Sequence, residues 1–181
     1  SPDIHVDIFI VEPTAERNYY TLVTSGMGAH RMNVPKELAE YKLERAEIVV
    51  YLPADWNISD HEEKNYWPLR WLKILARLPL EEDSWLGWGH SVPNGKPFAE
   101  NTQLSSVLLI NPENVEEGAA VCQLPNGEEV NFYQMIPLYE EEVNFKIQNG
   151  AETLLGKMGE ISAVVDIHRL NVCEGFGRSK E

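Results

Sequence analysis

The order of the apolar segments predicts an α+β fold, in which helices flank a mixed, largely antiparallel sheet. Three observations support this prediction. Short segments rich in β-branched and aromatic residues come in hairpin-like pairs. Two longer segments place their apolar residues at helical spacing. These helical segments follow the third and the sixth strand, an order that is typical of α+β proteins.

The predicted strands are bounded by proline, glycine or asparagine, which end extended segments. They are Ile4–Val11, Tyr19–Thr24, Ala46–Leu52, Ser106–Ile110, Val121–Leu124, Val130–Ile136 and Ala163–Ile167. The loop around Ala15-Glu16-Arg17 closes a first hairpin, and Pro125-Asn126-Gly127 is a strong signal for another. Pro137 ends the sixth strand, and Lys36–Tyr41 predicts a short helix.

Two main helices are predicted. The first begins near Tyr66, carries Pro68 in its first turn and ends at Pro79. Its apolar stripe consists of Trp67, Trp71, Ile74, Leu75 and Leu78. The second begins at Glu140-Glu141-Glu142, where the helix dipole favours negative charge, and Asn149-Gly150 breaks or kinks it.

The length of 181 residues fits one compact domain, and an apolar content of 43% is enough for a core. We expect a single domain over residues 1–173 and a frayed tail over residues 174–181. No apolar stretch approaches the roughly 20 residues of a membrane helix, and no signal peptide is evident. The chain begins with Ser1-Pro2 rather than methionine, which is compatible with the removal of an upstream segment.

The two cysteines, Cys122 and Cys173, lie far apart in apolar surroundings. A secreted disulfide scaffold would use more cysteines in a chain of this kind. We therefore expect two buried, reduced thiols and a cytoplasmic location.

The net charge of −14 is unevenly distributed, because nine glutamates and no lysine or arginine occur between Pro97 and Phe145. A surface of this kind repels nucleic-acid phosphates and anionic lipids, so neither is an expected partner. It attracts a basic protein and speeds its docking. The alternative interpretation is that the charge serves solubility alone.

The motifs of common catalytic and cofactor sites are incomplete in this sequence. Gly26-Met27-Gly28 follows a strand as a phosphate-binding loop does, but Arg31 replaces the third glycine, so we interpret it as a turn. The histidines and cysteines lack the spacings of metal-binding motifs. Ser25 and Ser91 lie near glycines but outside a G-x-S-x-G turn. No metal or cofactor is expected.

One enzymatic alternative stays open, namely a hydrolase or metal-dependent enzyme that uses His90, Asp166 and His168. Asp166 and His168 are two residues apart on a predicted strand and would share one face, where one could orient the other. Such a pair is more often structural or solvated.

The segment Trp85–His90 is the strongest candidate site on physical grounds. Gly87 and Gly89 allow close approach of the backbone. Trp88 and His90 combine aromatic surface with a polar end, as interface residues commonly do. The alternative, which applies most readily to Trp85, is that the tryptophans fold back onto the core.

Seven segments in collinear order carry a resemblance to a known family. They are Arg17–Met27, Arg45–Pro53, Trp67–Arg77, Trp88–His90, Val107–Ile110, Val130–Glu142 and Val165–Ile167. Together they resemble the Suppressor of fused domain as it occurs in bacterial proteins, over nearly the whole chain.

The resemblance implies a layered α/β/α-like sandwich without known enzymatic activity. Animal members sequester Gli-type zinc-finger transcription factors in Hedgehog signalling and hold a peptide by strand addition between this domain and a second, C-terminal domain. This sequence contains no such second domain, and Leu78 and Gly89 stand where animal members use Tyr and Asp. Gli-type binding is therefore not expected. For bacterial relatives the resemblance implies an immunity protein that neutralises a toxin.

The sequence thus predicts a non-catalytic, protein-binding module, an immunity or regulatory protein that sequesters a basic partner such as a toxin. The partner-binding candidates are Trp88, His90, Glu140, Glu141 and Glu142. The enzyme based on His90, Asp166 and His168 is the alternative. The sequence does not specify the partner or the oligomeric state.

Overall fold

A seven-stranded sheet forms the middle layer of the computed structural model, which describes residues 4–160 and 163–177. The strands are β1 (Asp7–Val11), β2 (Tyr19–Ser25), β3 (Arg45–Pro53), β4 (Ser91–Pro93), β5 (Ser106–Ile110), β6 (Val121–Gln123) and β7 (Glu129–Leu138). The helices are α1 (Glu63–Glu81), α2 (Glu140–Asn149) and α3 (Ala151–Met158). Two 3₁₀ helices span Met27–Ala29 and Lys36–Tyr41.

The strand order β1-β2-β3-β7-β5-β4 makes the sheet mixed. β3 and β7 run parallel, and the other pairs among the described strands are antiparallel. β6 pairs with the first residues of β7 and β5 pairs with the later ones. The predicted mixed, largely antiparallel sheet is therefore confirmed, as are the hairpins β1–β2 and β6–β7.

At β5 and β7, both faces of the sheet are buried, each under different helices. Alternate residues of β5 divide between them, because Val107 and Leu109 belong to the core beneath α1, whereas Leu108 and Ile110 belong to the core beneath α2 and α3. Successive side chains of a strand point to opposite faces, so the apolar run Val107–Ile110 needs a core on both sides of the sheet. The α/β/α-like layering expected from the resemblance is confirmed.

α1 forms the layer on the first face. Its stripe packs Trp67, Trp71 and Leu75 against the sheet, as the spacing predicts, whereas Ile74 is 38% exposed. The helix begins earlier and ends later than predicted, so Pro68 and Pro79 lie inside it. Each proline removes one backbone donor without ending the helix, because tertiary packing of the stripe outweighs that local loss.

The second face is covered by a broken helix. α2 ends at Asn149, and α3 begins at Ala151, so the predicted break at Asn149-Gly150 is confirmed. Gly150 adopts a φ of 91° between them, a conformation that glycine tolerates readily.

Three local predictions differ from the structure. Ala163–Ile167 forms no strand: Val165 N–H donates to the carbonyl of Tyr51, but the described residues of this segment form no ladder with a neighbouring strand. β4 was not predicted, since three residues are too few for a periodic pattern. β7 continues through Pro137 to Leu138, and Pro137 lies opposite Val107.

The C-terminal segment contributes to both cores: Val165 and Ile167 pack in the core beneath α1, and residues 172, 173 and 176 pack in the core beneath α2 and α3. Residues 163–177 contain no helix or strand, and Phe176 contacts the Phe145 ring at 5.2 Å between centroids. Residues 178–181 of the tail expected to be frayed lie outside the described residues.

Candidate functional site

The Trp85–His90 loop is held by its own backbone donors. The Gly87 N–H donates to Nδ1 of His90 at 3.2 Å, and the His90 ring meets the Trp85 ring edge-on at 4.4 Å. Gly89 adopts a φ of 81° and donates its N–H to Leu109 at 2.8 Å. The loop is therefore a fixed extension of the β4–β5 edge.

The aromatic residues of this loop have different environments. Trp85 packs on the core beneath α1, so the expectation that it folds back is met. A side chain at position 87 would place its Cβ 2.7 Å from the Trp85 ring, which explains the need for Gly87. Trp88 is 43% exposed and His90 is half-buried. Trp88 thus presents aromatic surface to solvent.

His90 is kept neutral by its surroundings. Burial lowers the pKa of the imidazole, and the positive charge of Lys146 lowers it further. An unprotonated Nδ1 is also what the Gly87 N–H requires as an acceptor.

Helix α2 connects the two candidate regions. Its first turn contains Glu140, Glu141 and Glu142, and Lys146 one turn later donates to Oγ of Ser91 at 3.1 Å, beside His90. Burial lowers the pKa of the Lys146 amine. The five predicted residues therefore lie along one helix and the loop beside it.

The three glutamates of α2 have different contacts. Glu140 is exposed, and Glu141 is partly buried and accepts a hydrogen bond from Asn171 at 3.1 Å. Glu142 is completely buried, and both of its carboxylate oxygens accept from the guanidinium of Arg169 at 2.6 and 2.7 Å. The carboxylate of Glu142 is therefore used within the chain.

Arg169 fastens the C-terminal segment to the sheet and α2. Besides Glu142, its guanidinium donates to the carbonyls of Pro137 and Leu170, and it lies 5.1 Å from the centre of the Tyr139 ring. Glu142 also accepts from the backbone N–H of Tyr139 at 2.8 Å, which caps α2. Sequence reasoning missed Arg169, because nothing local marks a partner so distant along the chain.

The Gly26–Gly28 turn holds an internal carboxylate. Oε1 of the buried Glu47 accepts the N–H groups of Gly26 at 3.0 Å and Gly28 at 2.9 Å, and Oε2 accepts the Thr24 hydroxyl at 2.5 Å. Backbone N–H groups of such turns form anion-binding concavities. Here the anion comes from β3, so these donors are already occupied.

The residues of the enzymatic alternative do not form a metal-binding group. Within residues 4–160 and 163–177, no three His, Cys, Asp or Glu side chains are grouped as metal ligands would be. Asp166 and His168 do not lie on a strand, so the prediction that they share a strand face is wrong. Instead, Oδ1 of Asp166 accepts the backbone N–H of His168 at 3.0 Å, as in an Asx-turn.

The cysteines differ from the expectation in one respect. Both are free, and Cys173 is buried as predicted, but Cys122 is exposed. β6 is a three-residue strand at the margin of the sheet, and it leaves Cys122 uncovered. Burial raises the pKa of the Cys173 thiol, which keeps it protonated.

A groove beside α2 was not anticipated from the sequence. It has a volume of about 840 Å³ and lies between α2, the loop after β4 and the C-terminal segment. Ile147 and Leu170 line it and are highly exposed. Ile147 is in helical register with buried residues, so a pattern of apolar spacing alone predicts it to be buried.

This architecture defines the class of the protein as an α+β domain, with a mixed sheet between α1 on one face and α2–α3 on the other. The Suppressor of fused protein (SUFU) family model matches residues 2–170, and the chain belongs to that family. Leu78 packs on the core beneath α1, and Gly89 has no side chain, so neither position presents a polar side chain to a partner.

Similar proteins agree with this assignment. An uncharacterized protein of Ureaplasma parvum is 28% identical over 167 residues, which cover 92% of this chain and 78% of that protein. The crystal structure of a SUFU homologue from Neisseria gonorrhoeae has a TM-score of 0.65 at 20% identity. The match covers 92% of this chain and 78% of that chain.

Two further solved structures share the fold. The Sufu–Fu complex gives a TM-score of 0.62 at 15% identity, with 92% of this chain and 76% of that chain covered. Drosophila Suppressor of Fused gives 0.63 at 15% identity, and this chain covers 42% of its length. Across the described ranges of our chain, no helix combines the length and apolarity required to span a bilayer.

Proposed function

We propose that this chain is a non-catalytic module that binds and sequesters a basic protein partner, as an immunity or regulatory protein in the cytoplasm. The observation that carries the proposal is the difference between paired and unpaired glutamates in the segment between Pro97 and Phe145. Arginines neutralise Glu128 and Glu142. Others are exposed and form no ion pair within the described residues, namely Glu100, Glu113, Glu116, Glu117 and Glu140.

The exposed glutamates suit a basic partner for an electrostatic reason. Glu113, Glu116 and Glu117 lie close together on one loop between β5 and β6, where the surrounding segment has no lysine or arginine. Like charges placed together repel one another in the free protein, and a positive surface relieves that repulsion while it accelerates encounter. The Sufu–Fu complex supports a protein as the partner, because a relative of the same fold binds one.

The experiment compares capture by the natural chain with capture by the variant Glu113→Gln/Glu116→Gln/Glu117→Gln. The immobilised proteins are exposed to lysate of the source cell at low and at high ionic strength. We expect the natural chain to retain a discrete basic protein that salt releases, and the variant to retain less of it because association slows.

A charge-matched control distinguishes the effect of this loop on capture from the effect of the net charge of the chain. The variant Glu12→Gln/Glu16→Gln/Glu37→Gln removes three exposed glutamates outside the segment. It should capture the partner as well as the natural chain does. The proposal fails if no specific basic protein is retained under gentle conditions, or if the control loses the partner as completely as the loop variant does.

A further inference from the structure

The groove beside α2, which we call the α2 groove, unites exposed apolar side chains with acidic ones. Leu170 is 86% exposed and Ile147 is 69% exposed, the two largest values among the exposed large apolar residues of the described chain. Both line the groove, together with the partly buried ring of Phe176. Single exposed apolar residues are ordinary, but two in one concavity mark a contact surface.

The charges of the α2 groove are mainly negative. Glu140, Glu141 and Glu174 line it. Two cations also line it, but the guanidinium of Arg169 is already paired with Glu142, so Lys96 is the cation without an ion pair among the described lining residues. The groove therefore offers an apolar floor beside carboxylates.

These features select one kind of occupant. An anionic lipid or a nucleic acid would meet the carboxylates with like charge, and so would a second copy of a chain whose net charge is −14. A segment with apolar anchors and flanking arginines or lysines complements both parts of the groove. A volume of about 840 Å³ is within the range of sites that enclose a ligand.

We infer that the α2 groove is the contact site for a basic amphipathic segment of the partner protein, whose leucine-like anchors cover Ile147 and Leu170 while its cations face Glu140 and Glu174. This inference rests on the proposed function and specifies where that partner binds. The loop at Glu113–Glu117 then governs mainly how fast the partner arrives, and the groove governs how long it stays.

The probe is a short synthetic peptide in which two leucines are flanked by arginines, labelled for fluorescence anisotropy. The matching peptide carries glutamates in place of the arginines. We expect the arginine peptide alone to bind, and Ile147→Ser/Leu170→Ser or Glu140→Gln/Glu174→Gln to weaken its binding at least about tenfold. These substitutions preserve the fold, because the side chains of Ile147, Leu170, Glu140 and Glu174 are all exposed.

Phe9→Ser is the matched control, because Phe9 is 58% exposed on β1, at the other end of the sheet. It should leave peptide binding unchanged. The inference is overturned if Phe9→Ser weakens binding as much as Ile147→Ser/Leu170→Ser, or if the glutamate peptide binds equally well. It is also overturned if sedimentation shows a dimer that Leu170→Ser dissociates, since a second copy would then occupy the groove.

The two proposals can fail separately. If the natural chain captures a basic protein and Ile147→Ser/Leu170→Ser releases it no faster, the protein-binding function stands and the location in the groove is wrong. If the chain retains no basic protein and the arginine peptide does not bind, both proposals are wrong.

Discussion

Glu140 and Glu142 lie two residues apart in the first turn of α2, yet their environments are opposite. Glu142 is completely buried and holds Arg169 from the C-terminal segment, whereas Glu140 is exposed at the rim of the α2 groove. Glu47 resembles Glu142, since it is buried and holds the Gly26–Gly28 turn. The difference teaches that the net charge of −14 contains two kinds of acid: internal acids that fasten segments together, and exposed acids that are available to a partner.

The largest expected effect on stability concerns Glu142, the internal acid of α2. Arg169→Met removes the cation and leaves the Glu142 carboxylate buried without its counter-charge. We expect the free energy of unfolding to fall by about 3–5 kcal/mol, as for other broken buried pairs. Urea denaturation followed by tryptophan fluorescence measures it, with the exposed Lys36→Met as the control for loss of a positive charge. Equal stability of the two variants would remove the distinction between internal and exposed acids.

A smaller effect is expected at the other internal acid. In Glu47→Gln, the amide NH₂ would face the donors of Gly26, Gly28 or Thr24, because these groups surround both carboxylate oxygens. One buried donor is left without an acceptor, which costs about 1–3 kcal/mol. The same denaturation experiment measures this loss, and the exposed Glu40→Gln should be nearly neutral. A neutral Glu47→Gln would mean that the turn holds itself without the carboxylate.

The smallest effect is expected at Glu128, an intermediate case that is partly exposed. Hydrogen bonds and ion pairs from Arg45 first, and then Arg31, lower the pKa of its carboxyl. A carboxyl with a lowered pKa in the folded state stabilises the protein above its unfolded pKa and loses that contribution as pH falls through the folded pKa. The difference in free energy of unfolding between the natural chain and Glu128→Gln should therefore shrink as the pH falls below the ordinary pKa range of glutamate.

Carboxyl NMR gives the direct measurement for Glu128. Its signal should titrate below the ordinary pH range of glutamate carboxyls. Titration of Glu128 within that ordinary range would show that the arginines hold its carboxylate too weakly in solution to matter.

Local chemistry allowed much of the fold to be predicted. The hairpins, the stripe of α1 and the break at Asn149-Gly150 depend on turn residues and on periodicity within a short window. The strand predicted at Ala163–Ile167 failed because an apolar, β-branched run forms a strand only where a neighbouring strand offers a ladder. Beside Tyr51, the described residues of Ala163–Ile167 form no such ladder.

The candidate surface was less predictable, because it depends on contacts between distant segments. Nothing in the letters Glu-Glu-Glu distinguishes Glu140 from Glu142; the distinction comes from Arg169, 27 residues further along. Ile147 likewise has the spacing of a buried helix residue. It is nevertheless exposed, because no other element of the described chain packs over that side of α2. Trp88 and His90 were identified by residue type, and their role in partner binding stays a prediction.

The parallel pairing of β3 with β7 also has a consequence for how the chain is made. Arg45 lies opposite Val130 at the centre of the sheet, so the two inner strands are separated by α1, β4, β5 and β6 in the order of synthesis. Contacts between residues so far apart form late and slowly compared with hairpins. During synthesis, the edge of β3 that pairs with β7 therefore stays unpaired until the ribosome has released β7.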